Sequence, residues 1–323
     1  MGRKGEPREH WVGASNCMLP NFFIVGAPKA GTTSLYHYLR QHPQIYLSPI
    51  KEPSFFAEDV AALKRQLGDV EADPVALARY LDGPMTMLRA GDVSDWDQYL
   101  KLFRHVRHER AIGEASGNYL ASHSAPAAIC ARIPEARIVM VLRDPADRLY
   151  SQHAQAIARD DVRQPLLPWV ERQMTLEAQR HPPLGAVWNG YYARHLKRYL
   201  QSFPPEQIRT YLYEELCAEP LTLLQDLFRF LDVEPMQPID VTRHHNVTSQ
   251  PKVPFLSRIS GPVGSVLHHV LPPSARKVLR NAVYKRPSRI THDERAALLQ
   301  VYREDIRELE ALLTRDLSAW LKP

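Results

Sequence analysis

The stretch Asn21-Phe-Phe-Ile-Val-Gly-Ala-Pro-Lys-Ala-Gly-Thr-Thr-Ser34 is the most informative part of this chain, because an apolar run breaks into a Gly/Pro turn and then into a helical pattern. This order predicts a strand, a phosphate-binding loop and a helix. Gly26 and Gly31 have the spacing of the P-loop GxxxxGK[ST], but Thr32 stands at the lysine position and the lysine lies inside the loop, at Lys29. The loop is therefore expected to bind something other than a nucleoside triphosphate.

The predicted ligand of this loop is an anion. Backbone N–H groups at a helix N-terminus face outwards, and the helix dipole adds about half an elementary positive charge there. Gly-rich turns also serve ordinary strand-to-helix geometry, but a lysine, two glycines and three consecutive hydroxyls favour anion binding. The predicted anion-binding residues are Lys29, Ala30, Gly31, Thr32, Thr33 and Ser34.

The bulk composition is that of a folded globular enzyme. The chain has 323 residues, 44% of them apolar and 24% charged, and it could bury about three quarters of its unfolded surface. Its formal charge of +5 favours anionic ligands. It carries no zinc-finger spacing, RNA-binding aromatic motif or basic tail, so no nucleic-acid partner is expected.

The cysteines and the N-terminus indicate a reducing compartment. Cys17, Cys130 and Cys217 are odd in number and far apart, which predicts neither a disulfide framework nor a metal site. The charged N-terminus is followed by no apolar segment, which argues against a secretory signal or a membrane anchor. We expect a cytoplasmic location.

Strands alternate with helices along the chain, which predicts an α/β fold, a P-loop-like doubly wound parallel sheet flanked by helices, in a single domain. Residues 1–19 are expected to form a flexible arm, and 20–323 the domain, with variable excursions near 57–101 and 255–290. The predicted strands are 21–25, 45–47, 111–114, 137–142 and 208–213. The main predicted helices begin at Thr32 and Pro145 and span 190–203, 221–231 and 291–320.

The segment 255–289 is basic and contains no Asp or Glu. Its mixture of arginines, leucines and valines is typical of a packed helical excursion, and peripheral membrane contact or acceptor contact is the alternative.

Three blocks of sequence together resemble one family. They are Gly26–Ser34 with Lys51-Glu-Pro-Ser-Phe-Phe56, Gly113-Glu-Ala-Ser-Gly-Asn-Tyr119, and Val141-Leu-Arg-Asp-Pro-Ala-Asp-Arg-Leu-Tyr-Ser151. Their order and spacing are similar to those of sulfotransferases that use 3′-phosphoadenosine 5′-phosphosulfate (PAPS), most of all the bacterial and heparan-sulfate-like branch. Weaker similarity continues over almost the whole chain.

The resemblance implies a role for each matching residue. The loop from Lys29 to Ser34 would hold the 5′-phosphosulfate, and Arg143 and Ser151 would hold the 3′-phosphate. Glu52 would act as general base, and Lys29 would stabilise the leaving oxygen, in a scheme that requires no metal. These residue types suit the task, since a guanidinium binds phosphate in a bidentate way and a positioned carboxylate can accept a proton.

Several of these residues also have structural interpretations. Arg143 could pair with Asp144 or Asp147, and Glu52 with Lys51. Tyr213 could stack on the adenine or simply be a buried strand aromatic. The histidines that could replace Glu52 as base are His37, His42 and His123, although solvated or core positions are more usual for them.

The acceptor is an unidentified hydroxyl or amine of a glycan, a lipid or a small metabolite. Heparan sulfotransferases carry Glu-Lys-Ser-Pro where this chain has Glu114-Ala-Ser-Gly117, which puts a polysaccharide acceptor in doubt. The expected partners are PAPS, its product adenosine 3′,5′-bisphosphate (PAP) and the acceptor, and the oligomeric state stays open. The alternatives are a P-loop nucleotide kinase and a catalytically silent protein that binds a nucleotide or an anionic glycan.

Overall fold

Five parallel strands form the central sheet of this protein. The computed structural model describes residues 18–66, 73–87, 91–159, 161–180, 185–236, 238–242, 250–251, 284–285 and 290–323. The strands, in chain order, are β1 (Phe22–Gly26), β2 (Ile45–Leu47), β3 (Ala111–Ala115), β4 (Arg137–Leu142) and β5 (Ile208–Leu212). Their order across the sheet is β2-β3-β1-β4-β5, and all four pairings are parallel.

Eleven helices are described around this sheet. They are α1 (Thr32–Leu39), α2 (Glu58–Gln66), α3 (Pro74–Asp82), α4 (Trp96–Lys101), α5 (Ala125–Arg132), α6 (Pro145–Ala158), α7 (Leu166–Arg180), α8 (Tyr192–Ser202), α9 (Tyr213–Ala218), α10 (Pro220–Phe230) and α11 (His292–Leu313). Short 3₁₀ turns occupy Gly117–Tyr119, Trp188–Gly190, Pro205–Gln207 and Ser318–Leu321, and a small antiparallel pair joins β6 (Gln250–Pro251) to β7 (Tyr284–Lys285). The α/β prediction of a parallel sheet flanked by helices is confirmed.

The core lies on both faces of the sheet. Every residue of β1 is buried, and so are the last five residues of β4. Parallel strands covered by helices on both faces need such continuous apolar runs, which explains why these two runs stand out in the sequence.

The helices that lead into and away from the site begin at clear sequence signals. Asp144 accepts hydrogen bonds from the backbone N–H groups of Ala146 and Asp147 at 2.9 and 3.1 Å, and Pro145 occupies the first position of α6. The predicted capping box of α11 is present, with the Thr291 Oγ1 atom accepting from the Glu294 N–H at 3.2 Å.

Several predicted boundaries are wrong. Tyr213 begins α9 instead of ending β5. The helix expected over 190–203 starts at Tyr192, after a 3₁₀ turn. The terminal helix, expected to reach 320, ends at Leu313, because Thr314 adopts a left-handed conformation with φ of 51°.

Two predicted segments fall largely outside the described residues. They are the arm over 1–19, of which only 18 and 19 are described, and the basic excursion over 255–290 with its proposed membrane contact. The excursion over 57–101 contains α2, α3 and α4.

Candidate functional site

The predicted site residues lie beyond the carboxyl ends of the strands, where β1 sits between β3 and β4. The chain runs from β1 to one side of the sheet through β2 and β3, and then to the other side through β4 and β5. Such a reversal in strand order opens a crevice at the carboxyl edge, which is where open α/β sheets bind ligands. Lys29, Glu52 and Arg143 follow three different strands and meet at this edge.

The loop between β1 and α1 is closely packed. Lys29 and Gly31 have φ values of 69° and 87°, in the left-handed region. A Cβ atom at Gly31 would lie 2.8 Å from the Leu216 side chain and 2.9 Å from the Tyr213 ring. Glycine at this position therefore lets the loop approach α9 while the chain turns into α1.

The first turn of α1 is buried and free of negative charge. Thr32, Thr33 and Ser34 are each less than 8% exposed, and the turn contains no acidic residue. The helix N-terminus contributes partial positive charge to the crevice. It thus suits an anion, and the binding of one here stays a prediction.

Lys29 is surrounded by other cations. Burial, and then the charges of Arg159, Arg143 and Arg148, lower the pKa of Lys29 to about 8, while Glu52 acts in the opposite direction. Four positive side chains close enough to repel one another form a strongly attractive site for a multiply charged anion.

Arg143 is held against the loop and is not paired with its acidic neighbours. Its Nη1 donates to the carbonyl oxygen of Lys29 at 3.3 Å, and its Cζ lies 4.8 Å from the centre of the Tyr213 ring. Asp144 and Asp147 instead contact Arg295 of α11, at 2.5 and 3.1 Å. The guanidinium of Arg143 therefore faces the crevice with its ring partner, and its other donors have no acceptor among the described residues, which suits them to a phosphate.

Ser151 lies on α6, on the helix that follows Arg143, and is half-buried. About two helical turns separate it from the strand end that carries Arg143. Its assignment to the 3′-phosphate stays a prediction.

Glu52 is paired and also faces the anion loop. Its Oε1 lies 2.8 Å from the Nζ of the buried Lys51, and its side chain is 44% exposed. Its charge also acts on Lys29. Glu52 therefore does pair with Lys51. This pairing does not exclude a catalytic role for Glu52, which stays a prediction.

A buried network at the end of β3 supports the Glu52 loop, and the sequence analysis did not identify it. Glu114 is fully buried, and its Oε1 accepts from the hydroxyls of Tyr99 and Tyr119, both at 2.9 Å. Its Oε2 accepts from the Ser116 hydroxyl at 3.0 Å. Burial raises the pKa of Glu114 to about 7, although the three hydroxyls favour the charged form. The sequence signal that could have indicated this network is an acidic residue, Glu114, within an otherwise apolar strand.

This network continues to the loop of Glu52. The Ser116 Oγ accepts from the backbone N–H of Ser54 at 3.1 Å, and the Asn118 Nδ2 donates to the Ser54 Oγ at 3.0 Å. The Glu52 N–H donates to the carbonyl of Ala115 at 2.8 Å. Glu52 and Ser54 both have left-handed φ values, of 71° and 59°, so these bonds hold an unfavourable backbone in place.

All three alternative bases have structural contacts. The His42 Nε2 donates to the carbonyl of Glu234 at 2.8 Å, and its Nδ1 accepts from the Gln44 N–H at 3.0 Å. The ring of His123 packs edge-on against Trp188, 5.6 Å away. His37 lies on α1 with its ring against Tyr36. Of these candidate bases, Glu52 is the one whose charge acts on Lys29 of the loop.

Within the residues that the structure describes, no group of three or more His, Cys, Asp or Glu side chains is arranged to hold a metal ion. In that same part of the chain no helix is both long and apolar enough to cross a membrane.

Comparison with known proteins gives the family. The family model described as "Sulfotransferase family" matches residues 20–238. A solved structure, the sulfotransferase from Alicyclobacillus acidocaldarius, has a TM-score of 0.68 and 29% identity, and the match covers 94% of this chain and 98% of that one.

Curated relatives include the bifunctional heparan sulfate N-deacetylase/N-sulfotransferase 3 of Mus musculus. It is 28% identical over 333 residues, which cover 98% of this chain and 32% of the mouse protein. The Homo sapiens protein of that name is 30% identical over 237 residues, covering 71% of this chain and 24% of the human protein. The chain thus spans a third or less of the length of these relatives. The family model matches more than half of the chain, and the parallel sheet and the site described above agree with that match. The chain therefore belongs to the sulfotransferase family.

Proposed function

We propose that this protein transfers a sulfuryl group from PAPS to a hydroxyl or amine of an acceptor. The observation that carries the proposal is the meeting of Lys29, Arg143 and Glu52 at the carboxyl edge of β1, β4 and β2. The Arg143 Nη1 bonds the Lys29 carbonyl at 3.3 Å, and Glu52 acts on the charge of Lys29. Anion recognition and a candidate base therefore share one crevice.

The described residues fit this donor. The α1 N-terminus and Lys29 would hold the 5′-phosphosulfate, and Arg143 with Ser151 would hold the 3′-phosphate. Tyr213 presents a ring that already stacks on Arg143 at 4.8 Å, so an adenine has an aromatic neighbour there. The cluster of Lys29, Arg143, Arg148 and Arg159 matches the several negative charges of the donor.

Each protein group then has a chemical task. Glu52 accepts the proton of the attacking hydroxyl or amine, which its partial exposure allows an acceptor to reach. Lys29, protonated below about pH 8, stabilises negative charge on the departing oxygen. The Glu114 network keeps the Glu52 loop in its left-handed conformation, so the base is positioned before the acceptor arrives.

The curated relatives are named as heparan sulfate N-sulfotransferases, so a glycan amine is the first class of acceptor to test. The doubt raised by the sequence persists, since Ala115 occupies the position of the expected lysine and is 1% exposed. A lipid or small metabolite remains an alternative. Independence from metal, a cytoplasmic location and the absence of a nucleic-acid partner are further predictions from the sequence.

The test is a calorimetric titration with PAP, with ATP and 5′-AMP as controls and without added metal. Tight binding that requires the 3′-phosphate is expected. Preference for ATP, or no binding of PAP, would contradict the proposal. Family membership argues against the nucleotide-kinase alternative, whereas a silent binding protein would bind PAP and show no turnover in an acceptor screen.

A further inference from the structure

Arg148 belongs to α6, and its side chain has no exposed surface. Its Nη1 donates to the Gln152 Oε1 at 2.7 Å, and its Nη2 donates to the carbonyl of Ala186. Its Nε has no hydrogen-bond partner among the described residues. The residue did not stand out in the sequence, although it lies between Ala146 and Leu149 on the buried face of its helix.

The charge of Arg148 has no acidic partner in the part of the chain that the structure describes, where none of the ion pairs involves it. Lys51, another buried cation, is paired with Glu52 at 2.8 Å. A buried charge is costly unless it is paired, because the interior solvates it poorly. An arginine that is buried without an ion-pair partner among the described residues is therefore suited to a negative partner from a bound ligand.

In the part of the chain that the structure describes, the charged and titratable groups facing Arg148 include one carboxylate. They are Lys29 of the anion loop, Tyr192 and His195 of α8, Tyr302 of α11 and Glu177 of α7. Burial and Arg198 lower the pKa of His195 far enough to keep it neutral. The Glu177 carboxylate accepts from the backbone N–H groups of Val187 and Trp188, both at 2.9 Å, and its negative charge acts on Arg148 without forming an ion pair with it.

Lys29 connects this buried charge to the site. Among the described residues, the charges that act on Lys29 are those of Arg159, Arg143 and Arg148 and the opposing charge of Glu52, so Arg148 belongs to the cationic group of the crevice. Among the described neighbours only Glu177 is negative, and it forms no ion pair with Arg148. The side of Arg148 that can gain a further countercharge is therefore the side of the anion loop.

We propose that Arg148 is an electrostatic positioning residue for the donor: its buried charge adds to the positive potential of the anion loop, and the donor phosphates provide its countercharge. This inference rests on the proposed function, in that it takes PAPS as the ligand. The free protein thus retains a destabilising charge that ligand binding compensates, a trade of stability for affinity that is known at functional sites.

The first test supplies the missing carboxylate. Gln152→Glu is nearly isosteric and places a negative charge where an amide oxygen now accepts from Arg148 at 2.7 Å. We expect a higher melting temperature for the free protein and a loss of PAP affinity on the order of tenfold at pH 7, because the internal pair replaces the ligand as countercharge. Gln201→Glu, on the exposed face of α8, controls for the added charge and should change neither.

The second test removes the charge. Arg148→Met should lower PAP affinity by a similar factor at pH 7, where Lys29 is mostly protonated, while Arg148→Lys should retain most of it. The direct readout is the pH dependence of Lys29 acetylation by acetic anhydride, followed by mass spectrometry. Its midpoint should rise in Arg148→Met and in Gln152→Glu, and stay unchanged in Arg148→Lys, because only the first two remove net positive charge beside Lys29.

The outcomes distinguish a failure of the proposed function from a failure of the inference about Arg148. If wild-type protein does not bind PAP, the proposed function fails, whereas the acetylation midpoints still report whether Arg148 acts on Lys29. If PAP binds and Gln152→Glu changes neither its affinity nor the midpoint, Arg148 is only structural and the inference is overturned. Failure of Arg148→Met to fold leaves this decision with Gln152→Glu.

Discussion

The charge on Lys29 depends on its neighbours more than on its own side-chain chemistry. Among the described residues, the charges of three arginines and the opposing charge of Glu52 act on it, and it is partly buried. A lysine in water would stay charged throughout the neutral and mildly alkaline range. Here the loop is tuned so that its charge changes close to neutrality.

This predicts a pH dependence of PAP affinity. Because the pKa of Lys29 is lowered to about 8, the free protein is charged there below that pH and becomes neutral above it. Bound phosphate favours the protonated lysine, so affinity should be nearly constant between about pH 7 and pH 8 and then fall by up to about tenfold per pH unit. Calorimetry across this range checks it. Lys29→Arg should remove the alkaline decline, and a wild-type affinity that stays flat would refute the prediction.

The role of Glu52 can be separated from its ion pair. Glu52→Gln should leave PAP affinity nearly unchanged and lower turnover by about a hundredfold or more, as expected for loss of a general base. Lys51→Met is the matched variant, because it breaks the 2.8 Å pair and leaves the carboxylate. Turnover is measured as PAP release with an acceptor from the screen. Equal losses in both variants would mean that the pair, and not the base, matters.

At the scale of elements, the site depends on how the loop between β1 and α1 fits against α9. The loop turns through left-handed conformations at Lys29 and Gly31, and Gly31 is in contact distance of Leu216 and Tyr213. A sequence pattern predicts such a turn but not its neighbour, since α9 comes about 180 residues later in the chain.

Gly31→Ala should therefore damage both stability and binding. Its Cβ would stand 2.8 Å from Leu216 at a φ of 87°, so we expect a loss of about 1–3 kcal/mol in the free energy of unfolding and a weaker affinity for PAP. Gly91→Ala is the control, since the nearest atom to its Cβ would be 3.4 Å away and its φ is not left-handed. Denaturant unfolding of both variants makes the comparison. Similar losses would show that the contact with α9 is unimportant.

At the scale of the whole molecule, the sheet encloses a carboxyl group that titrates near neutrality. Glu114 lies in β3, fully buried, and accepts hydrogen bonds from Tyr99, Tyr119 and Ser116. Ionisation of Glu114 therefore affects the stability of the entire fold as well as the loop of Glu52.

Stability should depend on pH through this group. Burial raises the pKa of Glu114 from 4.5 to about 7, so its charge destabilises the folded state fully above about pH 7, and this effect disappears as the pH falls towards 4.5. Glu114→Gln should thus stabilise the protein by about 1–3 kcal/mol at high pH and by little near pH 4.5. Thermal unfolding at several pH values tests this, with the exposed Glu206→Gln as control. A gain that is equal at all pH values would contradict the assignment.

Much of the fold could be predicted from local sequence. The apolar runs of β1 and β4, Asp144 and Pro145 at the start of α6, and the capping box of Thr291 and Glu294 each act over a few residues, so their structure follows from neighbouring side chains. The loop with Lys29 and the strand end with Arg143 were predicted for the same reason.

The sequence alone thus determined the parallel sheet and its anion loop, because strand and helix signals and the glycines of the turn are local. Only the tertiary structure decided the surroundings of the charges. Asp144 is paired with Arg295, far along the chain, and not with Arg143. Glu114 is buried among hydroxyls, and Arg148 is buried without an acidic partner among the described residues. Burial and pairing depend on which distant elements pack together, and a linear pattern carries no record of those distances.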